Sequence, residues 1–197
     1  MTDHKSLSFT AFLQIAGCPL NTLGSICKGP IILTSPTNGL GPGLDGSRAL
    51  GMLDCTDEDW ELGKDTGLIT FDKGPDALPL LLYFRHFDDG YRLYVRSGKY
   101  FGEGIFSNAN GLITAQPITD RDPGLWKLID IQSGRPFDLA RCEGSECGVQ
   151  MASAEGHPVE AHYLYPVGAF LASYPAAHQG DVTLIIQERD VDWLSAG

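Results

Sequence analysis

Residues 90–131 read GYRLYVRSGKYFGEGIFSNANGLITAQPITDRDPGLWKLIDI. Tyr91, Leu93 and Val95 alternate with Arg92, Tyr94 and Arg96, the two-residue period of a half-buried strand. Ser97-Gly98 turns the chain into a second strand over Lys99–Gly102, and Asn108–Gly111 turns it into a third over Leu112–Ala115. A polar loop carrying Pro117 and Asp122-Pro123-Gly124 leads to a fourth, Trp126–Ile131. Strands this closely spaced leave no room for crossover helices, so the stretch predicts an all-β architecture.

Parts of this unit recur. Gly111–Ala115 followed by Trp126–Asp130 is echoed upstream by Gly67–Phe71 with Leu80–Phe84, and downstream by Gly168–Ala172 with Val182–Ile186. The first halves correspond more loosely: Leu93–Ser97 with Val149–Ser153, and with Leu50–Asp54. A rival frame opens the first copy at Ile32–Gly39 and closes it at Asp57–Leu62.

On the phrases LYVRSGKY (93–100), GLITA (111–115) and WKLIDIQSG (126–134), the chain resembles the fascin-like and ricin-B-like β-trefoils. The likeness is clear over 90–131 and weaker over 147–188. It implies about twelve strands in three pseudo-repeats, with an extra N-terminal segment. The corresponding division is an extension over 1–45 with two candidate strands (9–15 and 31–34), a trefoil-like domain over 46–190, and a tail over 191–197. The expected core is Leu93, Val95, Leu112, Trp126, Leu128, Leu184 and Ile186, with Trp193 folding back onto the barrel.

At 197 residues the chain is long enough to bury a sizeable core. A net charge of −11 excludes a surface built to neutralise a phosphate backbone, so no nucleic-acid partner is expected. No window reaches the length of an apolar membrane span, and Met1–Lys5 does not open a signal peptide. The expectation is a cytoplasmic protein, with leaderless export as the other route. Five cysteines cannot all pair, which suits a reducing compartment. Five free thiols and no obligatory disulfide are expected; Cys142 and Cys147, which flank a hairpin-like Glu-Gly-Ser-Glu, are the exception if the protein meets oxidant.

No catalytic motif stands out. Gly144–Gly148 misplaces the serine of a nucleophile elbow. The five histidines fall outside known motifs, although alternation puts His162 on one face with Glu160 and Leu164. Asp54–Trp60 reads as a solvated acidic loop, lacking the later glycine and glutamate of a calcium hand. Neither a metal nor a cofactor is expected.

The trefoil resemblance implies a non-enzymatic, lectin-like module that binds carbohydrate through loops. A protein-interaction module, such as a trefoil protease inhibitor or a cytoskeletal-binding domain, is the alternative. Sugars take planar polar groups for their hydroxyls and aromatic faces for their C–H surfaces. The ricin-B phrase Gln-x-Trp is missing, so the candidate ligand residues are Asp89 with Tyr91, Asn108 with Asn110, and Tyr163 with Tyr165.

Overall fold

The computed structural model describes residues 4–37, 39 and 41–192. Its strands are β1 (Phe9–Ile15), β2 (Cys18–Pro19), β3 (Asn21–Thr22), β4 (Cys27–Lys28), β5 (Ile32–Leu33), β6 (Leu44–Asp45), β7 (Leu50–Leu53) and β8 (Asp72–Lys73). There follow β9 (Leu82–Phe87), β10 (Gly90–Val95), β11 (Gly104–Ser107), β12 (Ile113–Gln116), β13 (Leu125–Asp130), β14 (Glu146–Ser153), β15 (Val159–Leu164), β16 (Gly168–Ser173) and β17 (Asp181–Arg189). Two short helices, α1 (Leu23–Ile26) and α2 (Asp57–Asp65), interrupt the first third, and a 3₁₀ turn spans Leu139–Arg141.

The fold is all-β around a closed six-stranded barrel. Its strands run β1, β9, β10, β13, β14, β17 and back to β1, every pairing antiparallel. The remaining long strands lie outside it. β11 and β12 form a hairpin inserted between β10 and β13, and β15 and β16 one between β14 and β17. β7, which falls between β1 and β9 in sequence, pairs with both β3 and β16. Single bridges Ala49–Thr114 and Leu112–Ala172 join these outer elements to one another. Gly51 is needed there, because a Cβ on it would meet the Ala169 carbonyl at 2.6 Å.

Period-two alternation explains the interior. Phe9, Ala11 and Leu13 of β1, Leu93 and Val95 of β10, Trp126 and Leu128 of β13, and Leu184 of β17 are buried in one cluster. All seven expected core residues are buried, with Leu112 in a second cluster beneath the outer strands, beside Trp60, Phe71 and Phe170. Trp126 donates its indole N–H to the Ile105 carbonyl at 3.3 Å, satisfying the one polar atom that its burial would strand.

Several expectations change. β1 lies within the stretch set apart as an N-terminal extension, yet it closes the barrel between β9 and β17. Lys99–Gly102 is a turn, and the strand starts at Gly104 because the Gly102 N–H returns to the Val95 carbonyl at 2.9 Å. Gly67–Phe71 forms no strand and contributes Ile69 and Phe71 to the second core. The acidic run is not a loop. Thr56 and Asp59 cap α2 reciprocally, and Trp60 on its inner face packs edge-on against Phe71. Cys142 and Cys147 form a disulfide, while Cys18, Cys27 and Cys55 are free. Trp193, Asn38 and Leu40 lie outside the described residues.

Candidate functional site

The densest grouping of chemistry-bearing side chains lies on β15 and the loop from Tyr174 to Gly180. Alternation along β15 sends Glu160 and His162 to one face and Val159, Ala161 and Tyr163 to the other. The loop returns along the strand's free edge, where the Gly180 N–H bonds the Val159 carbonyl at 2.9 Å.

Glu160 is the centre of this group, its side chain only 13% exposed. Tyr174 donates its hydroxyl to Oε1 at 2.6 Å, and His162 Nε2 contacts the same oxygen. The other oxygen, Oε2, takes the His178 backbone N–H and lies 3.3 Å from His178 Nδ1. Burial pushes the Glu160 carboxyl up, but the bonds from Tyr174 and His178 and the nearby His162 outweigh it and hold it below the usual carboxylate range. The same bond, reinforced by burial and the carboxylate charge, pushes the Tyr174 hydroxyl up to about 12. His162 also stacks on Phe170, ring centroids 5.5 Å apart.

Beside this latch is an open cleft of about 440 Å³ between β15 and the start of β17. Tyr163, His178, Gln179 and Asp181 line it, with Leu171 and Val182 among its apolar walls. Tyr163 is 81% exposed. Gln179 donates to the Met151 carbonyl at 3.1 Å, and Asp181 accepts from the Gln150 amide at 3.0 Å. The polar walls are thus held in place before any ligand arrives.

The sequence-derived candidates do not converge on one site. Tyr91 is buried, with its ring among Phe9, Phe84, His86 and Phe137, so it is a core residue and not a ligand contact. Burial, helped by the Asp138 charge, pushes its hydroxyl well above the ordinary tyrosine value. Asp89 sits in the β9–β10 turn, 3.4 Å from Lys127 Nζ. Asn108 spends its carboxamide oxygen on its own turn, accepting from the Asn110 N–H at 2.9 Å and the Leu112 N–H at 3.0 Å. Asn110 is exposed. That turn meets the far end of β16, where the Ser173 N–H bonds the Gly111 carbonyl at 2.8 Å. Tyr163, on β15 opposite Ala169, and the exposed Tyr165, in the turn that follows, lie at the other, hairpin end of the β15–β16 pair.

Among the described residues no group of three or more His, Cys, Asp or Glu side chains is arranged to hold a metal, and no helix is long and apolar enough to cross a membrane. Asp57 pairs with Lys73 at 3.4 Å, and Asp122 pairs with Arg92. Burial pushes the Cys27 thiol up to about 12, the reverse of an activated nucleophile. Sequence alternation had already placed Glu160 beside His162. Tyr174 and His178 carried no signal, because a loop's return path is not periodic. Compared with family models, curated proteins and solved structures, the chain matches none.

Proposed function

We propose that the barrel is a β-trefoil and that the chain is a non-enzymatic module binding carbohydrate in the cleft between β15 and β17. Connectivity supports the fold. The barrel strands fall into pairs β1/β9, β10/β13 and β14/β17; the last two each enclose in sequence one hairpin outside the barrel, and the first encloses the seven short strands β2–β8, of which β3 and β7 pair with each other outside it. Those outer pairs meet one another.

The observation that carries the lectin reading is Tyr163, an exposed aromatic ring at the edge of a cleft walled by an amide, a carboxylate and an imidazole. A pyranose presents apolar C–H faces to such a ring and its hydroxyls to planar donors and acceptors. Binding without chemistry is favoured by the saturation of Glu160. Both its oxygens are engaged, and its tyrosine partner is held protonated through neutral pH. A carboxylate so occupied is poorly placed to move a substrate's proton.

A glycan array followed by calorimetry tests the reading. Tyr163→Ala should weaken the best sugar by at least tenfold, about 1.4 kcal/mol, without moving the urea midpoint. Unchanged affinity in that variant removes this cleft. A blank array with folded wild-type protein removes carbohydrate binding altogether.

A further inference from the structure

A second groove, of about 500 Å³, lies between Ala77–Leu80 and the Ser97-Gly98-Lys99 turn. Its floor is apolar, with Ala77, Leu78 and Leu80, and Leu78 is 88% exposed. Its two walls are tied together. The Asn21 amide donates to the Leu78 carbonyl at 2.7 Å, and the Ser97 hydroxyl accepts from the Leu81 N–H at 2.9 Å. The groove is therefore preformed, as small-molecule sites usually are.

Its charge is opposite to that of the chain. The protein carries 25 acidic residues and a net charge of −11, yet no carboxylate lines this groove, and Lys99 does. Lys99 makes no ion pair among the described residues, and its ammonium stands 5.2 Å from the Tyr100 ring centroid. Arg48 lies against the same ring at 4.5 Å and adds positive potential, partly offset by its pairing with Glu103. A cation held over an aromatic ring beside the bare Leu78 side chain matches a ligand with one negative end and a hydrocarbon body.

We propose that this groove binds a small amphipathic monocarboxylate. The carboxylate meets Lys99, and the hydrocarbon body covers the exposed Ala77 and Leu78. Extending that body covers more apolar surface, so affinity rises with chain length until the groove is filled. The site is separate from the Tyr163 cleft and stands whether or not that cleft binds sugar.

The test is an amide-resolved NMR titration of the whole chain with octanoate, and with 1-octanol as the uncharged counterpart. Octanoate should shift amides at 77–80, 97–99 and 24–25, and bind three- to fivefold tighter than octanol in low salt, the range of an exposed ion pair. Lys99→Met, at an exposed turn position, should abolish that preference and leave octanol binding as it was. The proposal is overturned if octanoate produces no shifts, if the shifts fall elsewhere, or if the two ligands bind equally well to the wild type.

Discussion

The Tyr174 hydroxyl donates to Glu160 Oε1 at 2.6 Å, tying the loop after β16 to the strand before it. The bond couples two titrations in opposite directions. Glu160 has a folded pKa below its unfolded value, so its contribution to stability is present above the ordinary carboxylate range and is lost as pH falls through the folded value. Tyr174 has a folded pKa raised from 10.0 to about 12, so its contribution is present below pH 10 and is lost as pH rises toward 12. Melting temperature against pH should therefore fall on both flanks. In Tyr174→Phe both flanks should flatten, and mid-range stability should drop by about 1.5–3 kcal/mol, the usual worth of a hydrogen bond to a charged group. An unchanged alkaline flank in that variant would sink the assignment.

Asn108 and Asn110 look equivalent in sequence, as two amides in one turn, and the structure separates them. Asn108 bonds two backbone N–H groups, whereas Asn110 is exposed and contributes its backbone N–H. Asn108→Ala should cost about 1 kcal/mol in urea unfolding, and Asn110→Ala less than about 0.5 kcal/mol. Equal effects from the two would contradict this division.

Strand periodicity was the legible part of this chain. Leu93, Val95, Trp126, Leu128 and Leu184 were recognisable because alternation and flanking turn residues both act locally. Tyr91 shares that face with Leu93 and Val95, so its burial was readable too. Its nearness to the Asp88-Asp89-Gly90 turn does not bring it to the surface, because alternation fixes its face. What resisted reading depends on distant partners. β1 carries the apolar run of a strand, but nothing local tells that Phe9 pairs with Phe84 and Arg189 to close a barrel. The Glu160 latch likewise needs Tyr174 and His178 brought back by a loop whose path tertiary packing sets.

Helix α2 carries its own start signal within the acidic run. Thr56-Asp57-Glu58-Asp59 is a capping sequence with aspartate in place of the usual glutamate, and its acids suit the positive end of a helix. Thr56 accepts from the Asp59 N–H at 3.2 Å, and Asp59 accepts from the Thr56 N–H at 3.0 Å. Thr56→Ala should destabilise the protein by about 1 kcal/mol, and Thr56→Ser by much less. Hydrogen exchange should localise the loss to residues 57–65 and to Trp60, whose indole packs beneath the outer strands. If Thr56→Ala leaves exchange in that helix unaltered, the cap contributes nothing.

The sharpest test of the barrel is to remove its first strand. β1 pairs with β17 from Phe9 to Gln14 and with β9 from Phe9 to Ala11. Phe9, Ala11 and Leu13 are each at most 1% exposed, and Phe9 stacks on Phe84 with ring centroids 4.7 Å apart. A fragment spanning 21–190 lacks all of this. It leaves β9 and β17 with open edges and opens a void in the core where a phenylalanine and a leucine had been, each worth several kcal/mol. Typical domain stabilities of about 5–15 kcal/mol do not survive that loss. The fragment should unfold without a cooperative transition and bind a hydrophobic dye, and a synthetic peptide of residues 4–20 added in excess should restore cooperativity by supplying the missing strand. A fragment that melts cooperatively on its own, at a temperature near that of the whole chain, would show that β1 decorates the barrel instead of closing it.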